Sequence, residues 1–139
     1  MLDTAALLAA YDAQLRGEAE VATAEGVERH GPLVWGWFGS GRGFVTYRDL
    51  GGARGADLRA LVEATAERYQ QDPAVHSVEW KTRGHDHAAG LHDLRVEHGF
   101  VPAEPESVMI GREYSVLSLC TRVCPRRSAE RARSAVRAR

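Results

Sequence analysis

Apolar positions recur at helical spacing in two long stretches of the chain, and each stretch predicts a helix. The first begins near Thr4, whose hydroxyl can cap a helix, and Gly17 ends it. Its apolar face consists of Leu7, Leu8, Tyr11 and Leu15. The second helix covers residues 56–71 and ends at the Asp72-Pro73 pair. Its inward stripe consists of Leu58, Leu61, Val62, Thr65 and Tyr69.

Shorter stretches rich in aromatic and β-branched residues predict strands. Four of them precede the last third of the chain, at residues 27–30, 33–38, 43–50 and 75–82. Glycine-containing turns separate the first three, which predicts a meander of hairpins. The alternation of Trp35 and Trp37 on one strand, and the position of Trp80 on another, favour packing in the core over a role in lining a substrate site or a dimer interface. Residues 18–26 show no clear period and predict a loop or the entry to a strand.

Residues 84–86 are predicted to lead into a third helix that runs to His98, with Leu91 and Leu94 facing inward and Gly99 just past its end. Two short final strands are predicted at residues 100–101 and 107–111. The order is therefore helix, three strands, helix, strand, helix, strand, strand. This order predicts a mixed sheet that is antiparallel at first and parallel where helices cross over.

Two local stretches add to this order. In residues 94–101 a helix end runs into a Gly-Phe pair, and residues 106–111 have the composition of a closing strand. Together with the element order they resemble the GNAT N-acetyltransferase fold, and residues 43–52 and 78–86 are similar to the N-terminal half of bacterial proteins made of two GNAT-like halves. The resemblance implies an α/β fold of the mixed α+β kind over residues 1–113, with a central mixed antiparallel and parallel sheet flanked by helices.

The resemblance also implies a place for acetyl-CoA, at the junction of the third strand and the second helix. In the family a Q/R-x-x-G-x-G/A loop points backbone N–H groups at the CoA pyrophosphate, and the helix N-terminus adds partial positive charge. Arg48, Gly51 and Ala53 satisfy this pattern, although Arg48 falls inside the predicted strand and Asp49 and Asp57 bring negative charge close by. A short glycine-rich turn of purely structural origin explains the same residues. The cofactor-binding candidates are Val45, Tyr47, Arg48, Gly51, Gly52 and Ala53.

Acyl transfer further needs a group that accepts a proton from the amine and one that protonates the leaving thiolate. By position, Glu79 on the fourth strand and Tyr114 beyond the last strand are the candidates. Glu79 is equally explained as a strand residue paired with Lys81 or Arg83, and Tyr114 as part of a tail. No clear acid and base pair emerges from the sequence.

The densest group of potential metal ligands in the sequence consists of His85, Asp86, His87 and His92, whose nitrogen and oxygen atoms could bind a zinc or nickel ion. Asp86 is also a natural N-cap for the helix predicted to follow. The two cysteines, Cys120 and Cys124, have no second pair, so they indicate neither a disulfide framework nor a complete zinc site. We therefore expect no bound metal.

Charge is distributed unevenly along the chain, although the formal net charge is −1. Residues 122–139 contain seven Arg and one Glu, which leaves 11 basic and 18 acidic residues in 1–121. Residues 114–139 are therefore interpreted as a basic Arg/Ala/Ser-rich tail, either disordered or helical, or as an end produced by a shifted reading frame. Such a tail can bind phosphate backbones, but it lacks interleaved aromatic residues and follows no nucleic-acid-binding fold, which disfavours nucleic acid as a partner.

No apolar run approaches the roughly 18 residues of a membrane helix, and the first residues lack a basic n-region. We therefore expect a cytoplasmic protein without a membrane partner. The favoured function is a GNAT-like domain that no longer catalyses, acting as a scaffold, as half of a larger enzyme or as a homodimer partner. The alternatives are an active acetyl-CoA-dependent N-acyltransferase on a small-molecule amine, and nucleic-acid binding through the tail.

Overall fold

The computed structural model describes residues 3–110, which form three helices, one 3-10 helix and four strands. The helices are α1 (Thr4–Gln14), α2 (Gly55–Gln70) and α3 (Leu91–Glu97), and the 3-10 helix is Gly17–Val21. The strands are β1 (Gly26–His30), β2 (Leu33–Phe38), β3 (Arg42–Tyr47) and β4 (Ser77–Trp80).

The four strands form one mixed sheet in the order β1-β2-β3-β4. β1 pairs with β2 and β2 with β3 in antiparallel fashion, whereas β3 and β4 are parallel. Helix α2 supplies the crossover between the two parallel strands. The mixed α/β class and the change from antiparallel to parallel pairing, both predicted from the sequence, are confirmed.

One face of the sheet carries the apolar core, against α2 and α3. Its members are Leu33, Trp35, Val45, Tyr47, Val78 and Trp80 from the strands, with Leu58, Val62, Tyr69 and Leu91 from the helices. The ring of Tyr69 lies so close to the sheet that a Cβ at position 43 would be 2.5 Å from it, which explains Gly43 in the middle of β3. The Tyr69 hydroxyl donates to the carbonyl oxygens of Gly36 and Phe44, each at 3.0 Å, so it satisfies its donor inside the core.

The opposite face is covered by the 3-10 helix, where the sequence predicted a loop or the entry to a strand. Val21 packs against Gly36, at which a Cβ would lie 2.9 Å from the Val21 side chain. Glu20 accepts a hydrogen bond from the Gly17 N–H at 3.1 Å and another from the Thr46 hydroxyl. These side-chain contacts hold the segment in a turn conformation, which a periodicity reading cannot detect.

Three further predictions about the elements were wrong. Helix α3 begins at Leu91 rather than directly after Asp86, because the Asp86 side chain binds Arg16 and accepts from the Arg83 N–H instead of capping a helix. Strand β3 ends at Tyr47, so Arg48 lies outside it. Residues 100–110 contain no strand: Phe100 packs on Trp80 with ring centroids 5.5 Å apart, and the prolines that follow lack the N–H needed for a ladder.

The proposed boundary at residue 113, the tail over residues 114–139, Tyr114 and both cysteines lie outside the described residues.

Candidate functional site

The carboxyl ends of the two parallel strands, β3 and β4, define the centre of the candidate site. Their pairing runs from Arg42 opposite Ser77 to Val45 opposite Trp80, and the Lys81 N–H donates to the Val45 carbonyl at 2.9 Å. Beyond this point the described residues show no hydrogen bond between the two strands. The Tyr47 carbonyl instead accepts from Nη2 of Arg16 at 3.2 Å. We call the space between the end of β3 and the residues after β4 the strand gap.

A buried ion pair between Arg16 and Asp86 fills the strand gap. Nη1 of Arg16 lies 2.7 Å from Oδ1 of Asp86, and Nη2 lies 3.0 Å from Oδ2, so the contact is bidentate. Their side chains are only 2% and 8% exposed. Asp86 also accepts from the Tyr47 hydroxyl at 2.7 Å and from the Arg83 N–H at 3.0 Å. Asp86 is therefore not the N-cap of α3 that the sequence suggested.

A second carboxylate, Glu20, lies on the other side of the sheet and binds two cations. Nζ of Lys81 is 2.7 Å from Oε1 of Glu20, and Nη2 of Arg83 contacts the same oxygen. Burial raises the pKa of Glu20, but the hydrogen bonds from Lys81 and Thr46 and the charge of Arg83 outweigh it, so the pKa is lowered overall. Glu20 is therefore ionised at neutral pH. We call Arg16, Glu20, Lys81, Arg83 and Asp86 the paired-charge cluster.

The N-terminal helix contributes two further members to the same network. Asp12 accepts from Nη1 of Arg16 at 3.0 Å and contacts Nε2 of His85 at 2.9 Å. Burial raises the pKa of Asp12, yet the hydrogen bonds from His85 and Arg16 lower it overall. The hydroxyl of Tyr11 accepts from Nε of Arg83 at 3.0 Å. Residues that are 70 or more positions apart in sequence therefore meet at the strand gap.

A cavity of about 460 Å³ opens beside the paired-charge cluster, between the residues after β4, helix α3 and residues 102–105. Its polar wall includes Tyr47, Arg83, Asp86 and Arg95. Burial, and secondarily the hydrogen bond to Asp86, raise the pKa of Tyr47, so its hydroxyl stays protonated. Its apolar wall includes Ala88, Leu91 and the proline-rich segment 102–105.

Arg95 is the one buried residue of this wall whose charge is not matched by a carboxylate within residues 3–110. Its side chain comes from the inward face of α3 and is 5% exposed. Nη1 donates to the Trp80 carbonyl at 3.4 Å, and the guanidinium lies 5.9 Å from the centroid of the Trp80 ring. Nε has no hydrogen-bond partner. Burial lowers the pKa of Arg95, because its charge is removed from water without a counter-ion.

In the predicted phosphate loop, backbone N–H groups that would have to face a bound anion donate to acceptors of the loop itself. Gly51 and Gly52 both adopt left-handed backbone angles, with φ of 64° and 75°, which explains the glycines by conformation alone. The Gly51 N–H donates to Oδ1 of Asp49 at 2.6 Å, and the Ala53 N–H donates to the Leu50 carbonyl at 3.1 Å. Two of the loop's amide donors are therefore already used within the loop.

The structure distributes the six cofactor candidates over separate environments. Val45 is fully buried in the core, Tyr47 lines the cavity and Arg48 is exposed. Gly51, Gly52 and Ala53 form the turn that leads to α2, and none of the three lines the cavity. Of these six candidates, only Tyr47 lines the cavity, and its hydroxyl donates to Asp86.

Of the remaining candidates within the described residues, Asp86 and His92 line the cavity, whereas Glu79, His85 and His87 do not. Glu79 is half-buried on β4, on the sheet face opposite to Trp80, and does not line the cavity. Of the four possible metal ligands, Asp86 binds Arg16, and His85 contacts Asp12. Across residues 3–110 no group of three or more His, Cys, Asp or Glu is arranged to hold a metal ion.

Sequence reasoning missed four residues of this region: Arg16, Glu20, Arg83 and Arg95. The first two lie at a helix end and in an aperiodic segment, where charge is ordinary on a surface. Arg95 did carry a signal, because it falls one position after Leu94 and four after Leu91 on the predicted helix, so it belongs to the inward face. A charged residue at an inward helical position is unusual enough to mark a site.

Comparison of the chain with models of protein families, with curated proteins and with solved structures found no match in any of the three. None of the helices in the described part of the chain has the length and apolar character needed to span a membrane.

Proposed function

We propose that the chain is a GNAT-like domain that does not transfer acyl groups, and that it serves as the scaffold half of a larger cytoplasmic enzyme or of a homodimer. The element order from α1 to α3 supports this proposal. Three antiparallel strands, a crossover helix and a parallel fourth strand followed by a helix are what the resemblance implies for this part of the fold.

The observation that carries the proposal is the occupied strand gap. In the GNAT family the opening between the two parallel strands receives the pantetheine arm of the cofactor. Here the bidentate Arg16–Asp86 pair lies in that opening, and Tyr47 donates to the same carboxylate. An entering pantetheine arm would have to separate a buried ion pair, and removing one partner of such a pair costs about 3–5 kcal/mol.

The loop before α2 supports the same conclusion. A pyrophosphate needs free backbone N–H groups and a positive helix end. The Asp49 carboxylate already accepts from the Gly51 N–H, and Asp57 adds a second negative charge in the first turn of α2. Both carboxylates would repel a bound pyrophosphate.

The proposal is tested by titrating the full-length protein with acetyl-CoA in a calorimeter. We expect no binding heat up to millimolar concentrations, and no release of free thiol when a panel of small amines is added. Micromolar affinity for acetyl-CoA would overturn the proposal in favour of the active N-acyltransferase. Thiol release that depends on the amine would overturn it as well.

A matched pair of variants isolates the contribution of the loop. Asp49→Ala removes the carboxylate that accepts from Gly51, and Asp72→Ala removes an exposed carboxylate that accepts from the Ala74 N–H at 3.0 Å in the same way. If the loop is a degraded phosphate site, Asp49→Ala gains more affinity for CoA than Asp72→Ala does. If the two variants have the same affinity for CoA, Asp49 does not prevent CoA binding, and the occupied strand gap is the remaining barrier to it.

A further inference from the structure

Three arginines are buried in the described part of the chain, and they differ in whether a carboxylate neutralises their charge. Arg16 binds the carboxylates of Asp12 and Asp86, and Arg83 binds Glu20. Arg95 contacts the Trp80 carbonyl and the Trp80 ring, and no carboxylate within residues 3–110 lies within ion-pairing distance of it. One positive charge is therefore buried at the cavity wall without a counter-ion from the described residues.

Such an arrangement is unfavourable for the folded protein taken alone. A buried charge without a partner costs several kcal/mol more than a paired one, and an apolar residue of similar volume would pack at the same position without that cost. An anion from outside residues 3–110 would remove this cost by pairing with the guanidinium. The lowered pKa of Arg95, which burial causes, is consistent with the missing counter-ion.

The cavity has the size and lining of a small-molecule site. Its volume of about 460 Å³ lies within the roughly 300–1,000 Å³ range of ligand pockets. The lining combines the polar side chains of Tyr47, Thr82, Arg83, Asp86, His92 and Arg95 with the apolar groups of Ala88, Leu91 and the segment 102–105 with its two prolines. Nη1 of Arg83, which belongs to the same wall, also has no acceptor.

We propose that this cavity binds a small organic carboxylate, whose carboxylate group pairs with the guanidinium of Arg95 and whose apolar body packs against Leu91 and residues 102–105. The site goes beyond the proposed scaffold function, and it is separate from the loop before α2. Its ligand is an acid with a short aliphatic or aromatic chain.

The charges on the wall favour a single negative charge over a phosphate dianion. Asp86 lines the same cavity, and although Arg16 neutralises it, its carboxylate would repel a second negative charge on the ligand. The planar guanidinium also matches the geometry of a carboxylate, with which it can form two parallel hydrogen bonds. A monocarboxylate therefore satisfies Arg95 with the least repulsion.

The first test compares three probes on the full-length protein by NMR titration of backbone amides. Hexanoate provides the carboxylate and the apolar chain, hexanamide provides the same chain without charge, and inorganic phosphate provides charge without the chain. We expect hexanoate to bind at least tenfold more tightly than either of the other two, with the largest shifts in residues 82–95. Equal binding of hexanoate and hexanamide, or shifts confined to other parts of the protein, would overturn the proposal.

The second test replaces Arg95 and a matched arginine. Arg95→Met keeps the volume and removes the charge, and we expect hexanoate binding to be lost while the melting temperature stays the same or rises. Arg59→Gln alters an exposed arginine on α2 that pairs with Glu97 at 2.8 Å, and we expect binding to be unchanged. A purely structural role for Arg95 predicts the opposite pattern, with a lower melting temperature and unaltered hexanoate affinity.

A third variant covers the case in which Arg95→Met does not fold. Arg95→Lys retains the positive charge but cannot form the bidentate contact. We expect its affinity for hexanoate to be lower than that of the unaltered protein for hexanoate but higher than that of the unaltered protein for hexanamide. Unchanged affinity in Arg95→Lys would show that the guanidinium does not contact the ligand and would contradict the proposed geometry.

Discussion

Arg16 and Arg95 are both almost completely buried near Tyr47, yet their surroundings differ. Arg16 is 2% exposed and meets Asp12, Asp86 and the Tyr47 carbonyl. Arg95 is 5% exposed, and its polar contacts within residues 3–110 are with the Trp80 carbonyl and the Trp80 ring. The same side chain at the same depth can therefore have a structural role in one place and remain available to a ligand in another. The number of acceptors around it distinguishes the two cases.

The paired-charge cluster has a clear structural consequence. It connects Arg16, just after α1, and the 3-10 helix with the residues that follow β4; Glu20 and Arg83 are separated by 63 residues in sequence and Arg16 and Asp86 by 70. These contacts close the strand gap from the side of the N-terminal segment. Arg83 and Asp86, which make these contacts, also line the cavity, whereas Arg95 in the same lining forms no ion pair with any of residues 3–110.

The largest effect is expected for Asp86→Asn, which tests whether the cluster is structural. The change keeps the shape of the side chain but leaves Arg16 buried with only Asp12 as a counter-ion, and it weakens the contact with Tyr47. Removing one partner of a buried pair costs about 3–5 kcal/mol, so we expect a loss of that size in the free energy of unfolding. Urea denaturation followed by tryptophan fluorescence measures it. A loss well below 1 kcal/mol would show that the ion pair between Arg16 and Asp86 does not stabilise the fold.

An intermediate effect is expected for Glu20→Gln, and it should depend on pH. The pKa of Glu20 is lowered in the folded protein, so its contribution to stability is complete above the unfolded pKa near 4.5 and is lost as the pH falls through the folded value. At neutral pH we expect a loss of about 1.5–3 kcal/mol, the range for hydrogen bonds to charged groups.

The measurement for Glu20 is a series of denaturation curves between about pH 7 and pH 3 for the variant and the unaltered protein. Their difference in unfolding free energy should shrink towards acid pH, because the unaltered Glu20 becomes protonated there. Asp12 also has a lowered pKa and is present in both proteins, so its contribution cancels in the difference. A difference that does not change with pH would show that Glu20 is not held as an ion by Lys81 and Arg83.

The smallest effect is expected for Arg59→Gln, which removes an exposed ion pair between α2 and α3. Arg59 contacts both carboxylate oxygens of Glu97, at 2.8 and 3.2 Å, and both side chains are well exposed. Solvent and salt screen such a pair, so we expect a change in stability within the error of a denaturation measurement. A loss of stability as large as that of Asp86→Asn would show that burial does not determine how much an ion pair stabilises this protein.

Much of the fold was accessible from the sequence because it depends on local pattern. The stripe from Leu58 to Tyr69 defined α2 to within one residue at each end, and the turns at Gly31 and Gly41 defined the hairpins. The failures occurred where side chains from distant segments decide the backbone. Asp86 looked like a helix cap because its neighbours in sequence permit that role, and its actual partners, Arg16 and Tyr47, are 39 or more residues away.

The candidate site was accessible to a smaller extent. Tyr47 was selected as a cofactor candidate inside the predicted third strand, and it lines the cavity. Gly51 and Gly52 were selected for the same role, and their left-handed backbone angles account for these glycines without a cofactor. Glu20 and Arg16 could not be selected from among 37 charged residues, because nothing in a sequence of ordinary composition separates a buried ion pair from a solvated one.

By itself, the sequence determined the periodic elements, the order of antiparallel and parallel pairing, and the apolar face on which the sheet packs, since all of these follow from the spacing of apolar residues along the chain. Only the tertiary structure decided which charges are buried together. The pairing of Arg16 with Asp86, and the absence of a carboxylate near Arg95 within residues 3–110, depend on how far apart in space the folded chain places groups that are remote in sequence. Electrostatic interactions depend on that distance and on the exclusion of water, and neither quantity can be read from residue order.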